Sequence, residues 1–178
     1  MFKLLKKEPK QSEGTHLLHR VVRSPHTRFF ALLGLFLVWQ PSANAFCFAE
    51  ASARYTVNEY ILRAIALHES RMNPSLQLVN SNGSVDIGLM GINTVHISPG
   101  ERLYRAGMTG SMLLDPCTNV MTGAYLLRLK MNRFGNTWTA VGAYHSITDQ
   151  YNVAYQGRIR ASLDKVMRQA QAAVRVDN

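Results

Sequence analysis

Four apolar residues, Val57, Ile61, Leu62 and Ile65, recur at helical spacing and form one stripe at about 100° per residue. Glu69, four residues after Ile65 and seven after Leu62, falls inside that stripe. The pattern demands an amphipathic helix that aims a carboxyl group at the core. Thr56 followed three residues later by Glu59 has the form of a capping box and predicts a helix starting at Val57. Desolvation disfavours the charged carboxylate, so Glu69 is expected to hold its proton to higher pH than an exposed Glu and to be able to donate it. The alternative is a Glu in a frayed last turn, partly exposed or paired with Arg63 or Arg71.

Downstream, Asn73-Pro74 stops helical propagation, because the residue before a proline is pushed out of the α region. Asn82-Gly83 is a turn signal, after which Val85, Ile87 and Leu89 alternate with Asp86, Gly88 and Met90. The expectation is a small hairpin or irregular sheet beside the helix end. Gly88 and Gly91 would let backbone approach a ligand, or would serve a bulge. Asp115 and Pro116 open a further helix whose apolar face runs through Val120, Met121, Ala124, Leu127 and Met131 until Gly135. Thr137 can cap a short helix carrying Trp138, Val141 and Tyr144. A last helix is expected over about 154–174, with Ile159, Leu163, Val166, Met167 and Ala170 inward and Arg158, Arg160, Arg168 and Arg175 outward. The fold class is therefore mainly α with a minor β element (α+β).

Residues 1–45 read as a leader outside the fold. Lys3, Lys6, Lys7, Lys10, Arg20, Arg23 and Arg28 precede an apolar run from Phe29 to Val38, followed by Pro41 and Ala43-Asn44-Ala45. That is the order of a secretory signal with cleavage after Ala45, and the run is shorter than the ~20 residues of a membrane span; the long basic region leaves an uncleaved or differently started leader as the alternative. Seven of the 20 Lys and Arg residues lie there against two of the 11 Asp and Glu residues, so over half of the net charge of +9 belongs to the leader. The charge left for residues 46–178 suits an anionic wall polymer and lacks the clustered basic stripe of a nucleic-acid binder. Residues 46–178 are enough for one domain. Cys47 and Cys117 are the only cysteines, and in an exported protein a disulfide between them is expected over two buried, inert thiols.

The motifs in order are Glu69-Ser70 at a helix end, Asn73-Pro74, Asp86 through Asn93 (DIGLMGIN), Asp115 through Val120 (DPCTNV) and Ala143-Tyr144-His145-Ser146. Together they resemble the lytic transglycosylases of lysozyme-like fold, over roughly residues 47–147. The likeness is to the specialised exported members that accompany conjugation, type IV and type III secretion and pilus systems. The resemblance implies a lysozyme-like helical domain, Glu69 as catalytic acid and then base, and a glycan cleft involving Ser70, Gly88, Leu89, Met90, Gly91, Asn119, Tyr144 and His145. It gives Tyr144 the task of reaching Glu69 through its hydroxyl. Gly91 stands where the family carries Gln, which removes a sugar-binding amide, and His145 stands for an Asn.

The same resemblance implies a peptidoglycan substrate, no cofactor, a periplasmic location and contact with components of a secretion or conjugation apparatus, while the charge distribution argues for no nucleic-acid partner and the short apolar run for no membrane span once the leader is cut. Its mechanism uses one carboxyl. A two-carboxylate hydrolase would need a second Asp or Glu about 5 to 9.5 Å away, for which Asp86 is the candidate in the cleft segment, with a turn or capping role as the alternative. A wall-binding scaffold with negligible activity is the rival reading, raised by Gly91. A metal hydrolase built on His68, His96 and His145 has weaker support, since these residues lack the two-histidine helical spacing of a zinc site.

Overall fold

The computed structural model describes residues 46–176, so the leader expected over 1–45 lies outside the described residues. Six helices surround one core, and a small sheet sits beside them. The order is α1 (Phe48–Tyr55), α2 (Glu59–Ser70), β1 (Gln77–Val79), β2 (Val85–Ile87), β3 (Ile92–Asn93), α3 (Arg102–Arg105), α4 (Pro116–Phe134), α5 (Trp138–His145) and α6 (Asp149–Val176). Two 3₁₀ turns, Thr94–Ile97 and Met112–Leu114, flank α3. Among the described residues no helix is long and apolar enough to cross a membrane.

The start of α2 differs from the capping-box expectation. Asn58, not Thr56, caps it, its side chain accepting hydrogen bonds from the backbone N–H groups of Tyr60 (2.8 Å) and Ile61 (3.2 Å). Thr56 instead ends α1 in the left-handed region (φ 51°), and Glu59 turns outward to pair with Arg63 at 2.6 Å. Helix α1 went unforeseen because only Phe48 and Ala51 of its eight residues are buried. A disulfide joins Cys47, just before α1, to Cys117 in the first turn of α4, and the Arg128 guanidinium of α4 donates to the carbonyls of Tyr55 (2.6 Å) and Thr56. Two covalent and polar ties thus fix a short helix that propensity alone would leave marginal.

The expected stripe on α2 is buried, with Leu62 and Ile65 wholly inside. Helix α6 packs along α2 and α5, and it begins at Asp149, five residues earlier than expected. Its buried seam is Asn152, Tyr155, Ile159, Ser162 and Val166, while Met167 faces outward. Asn152 belongs in that seam because its amide donates to the carbonyls of Thr139 and Ser146 and ties α6 to α5.

The β element is a three-stranded antiparallel sheet in the order β1-β2-β3, not a hairpin alone. Asn80 N–H bonds to Ser84 O across the Asn82-Gly83 turn, and Gly83 takes φ 81°. Strand β2 stops at Ile87 because Gly88 turns the chain at φ 72°, and Leu89 and Met90 then enter the core as a turn rather than a strand.

Candidate active site

Glu69 lies on the last turn of α2, where the chain reverses through Arg71 and Met72, both in the left-handed region. The Ser70 hydroxyl holds that reversal, donating to Ala66 O (3.0 Å) and accepting from Asn73 N–H (3.1 Å). The helix end is therefore firmly set, and Glu69 is presented to a cavity of about 630 Å³.

Asn119, fully buried on α4, builds the opposite wall from behind. Its amide N–H₂ donates to Ile87 O (2.8 Å) and Leu113 O (2.9 Å), and its amide oxygen accepts from Met90 N–H (2.7 Å). All three partners are backbone groups of the sheet end and neighbouring turns, so one side chain fixes the course of the chain from Ile87 to Met90. Gly88 is required there: a Cβ would meet the Asn119 amide nitrogen at 2.3 Å and Leu113 O at 2.8 Å. Gly91 follows at φ 57°, and a Cβ on it would stand 3.1 Å from both Cβ and Oε2 of Glu69. This glycine leaves room for the acid itself.

The Tyr155 phenol, reaching across from α6, donates a 2.5 Å hydrogen bond to Oε1 of Glu69. Tyr144, given that contact in the sequence reading, donates instead to Met90 O at 2.9 Å. The correction has a steric basis: Tyr144, on α5, meets the turn that Asn119 holds, while Tyr155 lies in the seam of α6 that packs on α2. The missed signal was present, since Tyr155 stands four residues before Ile159 on the same apolar face. The Tyr155 ring is itself clamped by His145 stacked on it (centroids 5.1 Å apart, planes 6° apart), by His68 edge-on at 5.4 Å and by the Arg158 guanidinium at 5.9 Å.

Burial pushes the Glu69 carboxyl up from 4.5 to about 7; the Tyr155 hydrogen bond pulls it down, the negative charge of Asp86 adds to the rise, and Arg158 opposes it. Asp86 faces the same cavity, its two carboxylate oxygens accepting from the amides of Asn80 (3.0 Å) and Asn93 (2.7 Å). Burial, then Arg158, keeps both His68 and His145 below the ordinary imidazole range, so both are neutral near pH 7. Tyr144 is held well above 10 by burial and by nearby Glu69 and Asp86, and Tyr155 by burial and Glu69, so both phenols remain donors.

Of the residues expected in the cleft, Glu69, Gly91, Tyr144 and His145 line the cavity. Ser70, Gly88, Leu89, Met90 and Asn119 are buried and do not line it; they shape it from behind, because their polar groups or apolar surface are consumed by the fold. His68, His96 and His145 do not converge. Among the described residues the one grouping with metal-ligand spacing is Cys47, Glu50 and Cys117, whose two sulfurs are bonded to each other.

A helical domain of this lysozyme-like kind, with one carboxyl of raised proton affinity at the wall of an open polar cleft, has the architecture of a glycan-cleaving enzyme. The chain belongs to the Transglycosylase SLT domain family, whose match covers residues 46–164, and is a lytic transglycosylase. It is similar to Invasion protein IagB of Salmonella typhimurium, 37% identical over 121 residues that cover 67% of this chain and 74% of the relative. Protein IpgF of Shigella flexneri is 39% identical over 123 residues (68% and 78%), and X polypeptide of Escherichia coli 37% over 101 residues (56% and 58%).

Proposed function

We propose that the protein cleaves the β-1,4 bond between N-acetylmuramic acid and N-acetylglucosamine in peptidoglycan and leaves a 1,6-anhydro-muramyl end. The observation that carries this reading is Glu69 itself, a half-buried carboxyl whose proton affinity burial raises to about 7 and whose direction the Tyr155 hydroxyl fixes at the wall of the cleft. In the first step the Glu69 proton passes to the glycosidic oxygen, the C1–O bond breaks, and the muramyl acetamido oxygen bonds to C1. In the second, the Glu69 carboxylate takes the proton of the C6 hydroxyl, O6 bonds to C1, and the acetamido oxygen leaves. Glu69 ends protonated, and no water is consumed.

The two amides that hold the Asp86 oxygens support an electrostatic part for it, raising the proton affinity of Glu69, over that of a second catalytic carboxyl. Gly91, whose absent Gln raised the scaffold reading, lies against Glu69 where a side chain would press on the carboxyl, which supports an active site over a wall-binding scaffold. The substrate lies outside the cytoplasmic membrane, so the proposal includes export and a periplasmic site of action. The likeness to a protein named for invasion supports local wall opening for a secretion or conjugation apparatus.

Mass analysis of soluble products from peptidoglycan sacculi treated with the purified protein tests the chemistry. Anhydro-muropeptides are expected. Muropeptides with free reducing ends would make the enzyme a hydrolase and return Asp86 to the reaction.

A further inference from the structure

The cleft continues past the sugar-binding wall. His96, Leu126 and Lys130 line both the catalytic cavity and a second hollow of about 300 Å³, formed between α4 and α3. The floor of the hollow is apolar, with Leu103, Leu126 and Leu129, and its rim carries Arg102, Lys130 and Arg133 against a single carboxylate, Glu101. Among the described residues the only ion pair is Arg63 with Glu59, so none of these three cations is neutralised by a carboxylate within 4.0 Å. Arg102 and Arg133 are exposed and Lys130 half-buried, and Arg133 is steadied by lying over the Phe134 ring at 5.0 Å. The connected space is thus uneven in charge: the Asp86 carboxylate lies on the catalytic side, Lys130 stands where the two hollows meet, and Arg102 and Arg133 outnumber Glu101 on the far side.

We propose that the hollow is a subsite for the carboxylate-bearing peptide stem of the muramyl residue whose glycosidic bond Glu69 attacks; this rests on the peptidoglycan reading above. The stem leaves the sugar through the lactyl group, beside the scissile bond, and carries free carboxylates along its length. Leu126, Lys130 and Arg133 share one face of α4 and span about 10 Å at 1.5 Å per residue, within the ~13 Å reach of an extended stem of about four residues. Asp86 repels those carboxylates on the catalytic side and the basic rim receives them, which orients the strand as well as holding it. The apolar floor accepts the stem's alanine methyl groups.

The test is equilibrium binding by the full-length mature protein of two soluble glycan fragments, one with intact stems and the same fragment stripped of them by an amidase. Wild type should bind the stem-bearing fragment several-fold more tightly. The preference should vanish in R102Q/R133Q, in about 0.5 M salt, where the screening length falls to a few ångströms, and with stems whose carboxylates are amidated. Affinity for the stripped fragment should not change in the variant. Equal affinity of wild type for both fragments, or a preference that survives in the double variant, would overturn the proposal. Binding needs no turnover, so sacculi left uncut by a protein that still prefers stems would count against the cleavage chemistry alone.

Discussion

The Tyr155 hydroxyl and the Glu69 carboxyl are 86 positions apart in the chain and 2.5 Å apart in the fold. The contact does two opposed things. It fixes the carboxyl's direction, and by donating to the charged form it limits how far burial can raise the proton affinity.

Glu69→Gln keeps the acceptor for Tyr155 but has no proton to deliver, so turnover should fall by at least about 1,000-fold with the fold intact. Stability should move the other way. A carboxyl raised from 4.5 to about 7 makes the folded state less stable as pH climbs through that window, by at most roughly 3 kcal/mol when fully ionised. Thermal melts should therefore show Glu69→Gln more stable than wild type at pH 8 and little different at pH 4. Wild-type turnover in the variant would remove Glu69 from the mechanism.

Tyr155→Phe removes a bond that favours the charged carboxylate, so the pH above which activity declines should rise from near 7, and turnover should drop roughly tenfold through lost orientation. Tyr144→Phe instead strands the Met90 carbonyl and should cost about 1–2 kcal/mol of stability without moving that limb. Full pH–rate profiles of both variants decide the matter; the same limb in wild type and Tyr155→Phe would show the contact to be without influence.

Restoring the family amide by Gly91→Gln should lower kcat, the reverse of what the sequence suggests. Its Cβ would press on Glu69 at 3.1 Å, in a backbone conformation that side chains tolerate poorly. Steady-state kinetics that gave an unchanged kcat and a lower KM would vindicate the sugar-binding amide.

Asn119→Ala deletes three buried hydrogen bonds at once and leaves Met90 N–H and the carbonyls of Ile87 and Leu113 without partners. The expected loss is about 3 kcal/mol or more in urea unfolding, with activity falling because the turn carrying Gly91 loses its anchor. A loss below about 1 kcal/mol would mean the turn holds itself.

Reducing the Cys47–Cys117 bridge, which closes a separation of 70 residues, should remove about 4 kcal/mol on the chain-entropy view, seen as a lower thermal midpoint. Helix α1 should exchange its amide protons first, since few of its side chains are buried. Equal melting of reduced and oxidised protein would sink this expectation.

The sequence by itself determined the core-facing place of Glu69 and the body of its helix, because apolar spacing of 3.6 residues is a local property that runs from Leu62 to Glu69. It determined as well the Asp115 cap that opens α4, the Asn82-Gly83 turn and the cysteine pairing, each set by chemistry within a few residues or by the absence of any other partner. Tertiary structure alone decided which tyrosine meets Glu69, that Gly91 lies against that carboxyl, and that Asn119 is spent on backbone groups. Those outcomes depend on how α6 docks on α2 and how one buried amide gathers three distant backbone groups, and such long-range packing leaves no periodic trace in the chain.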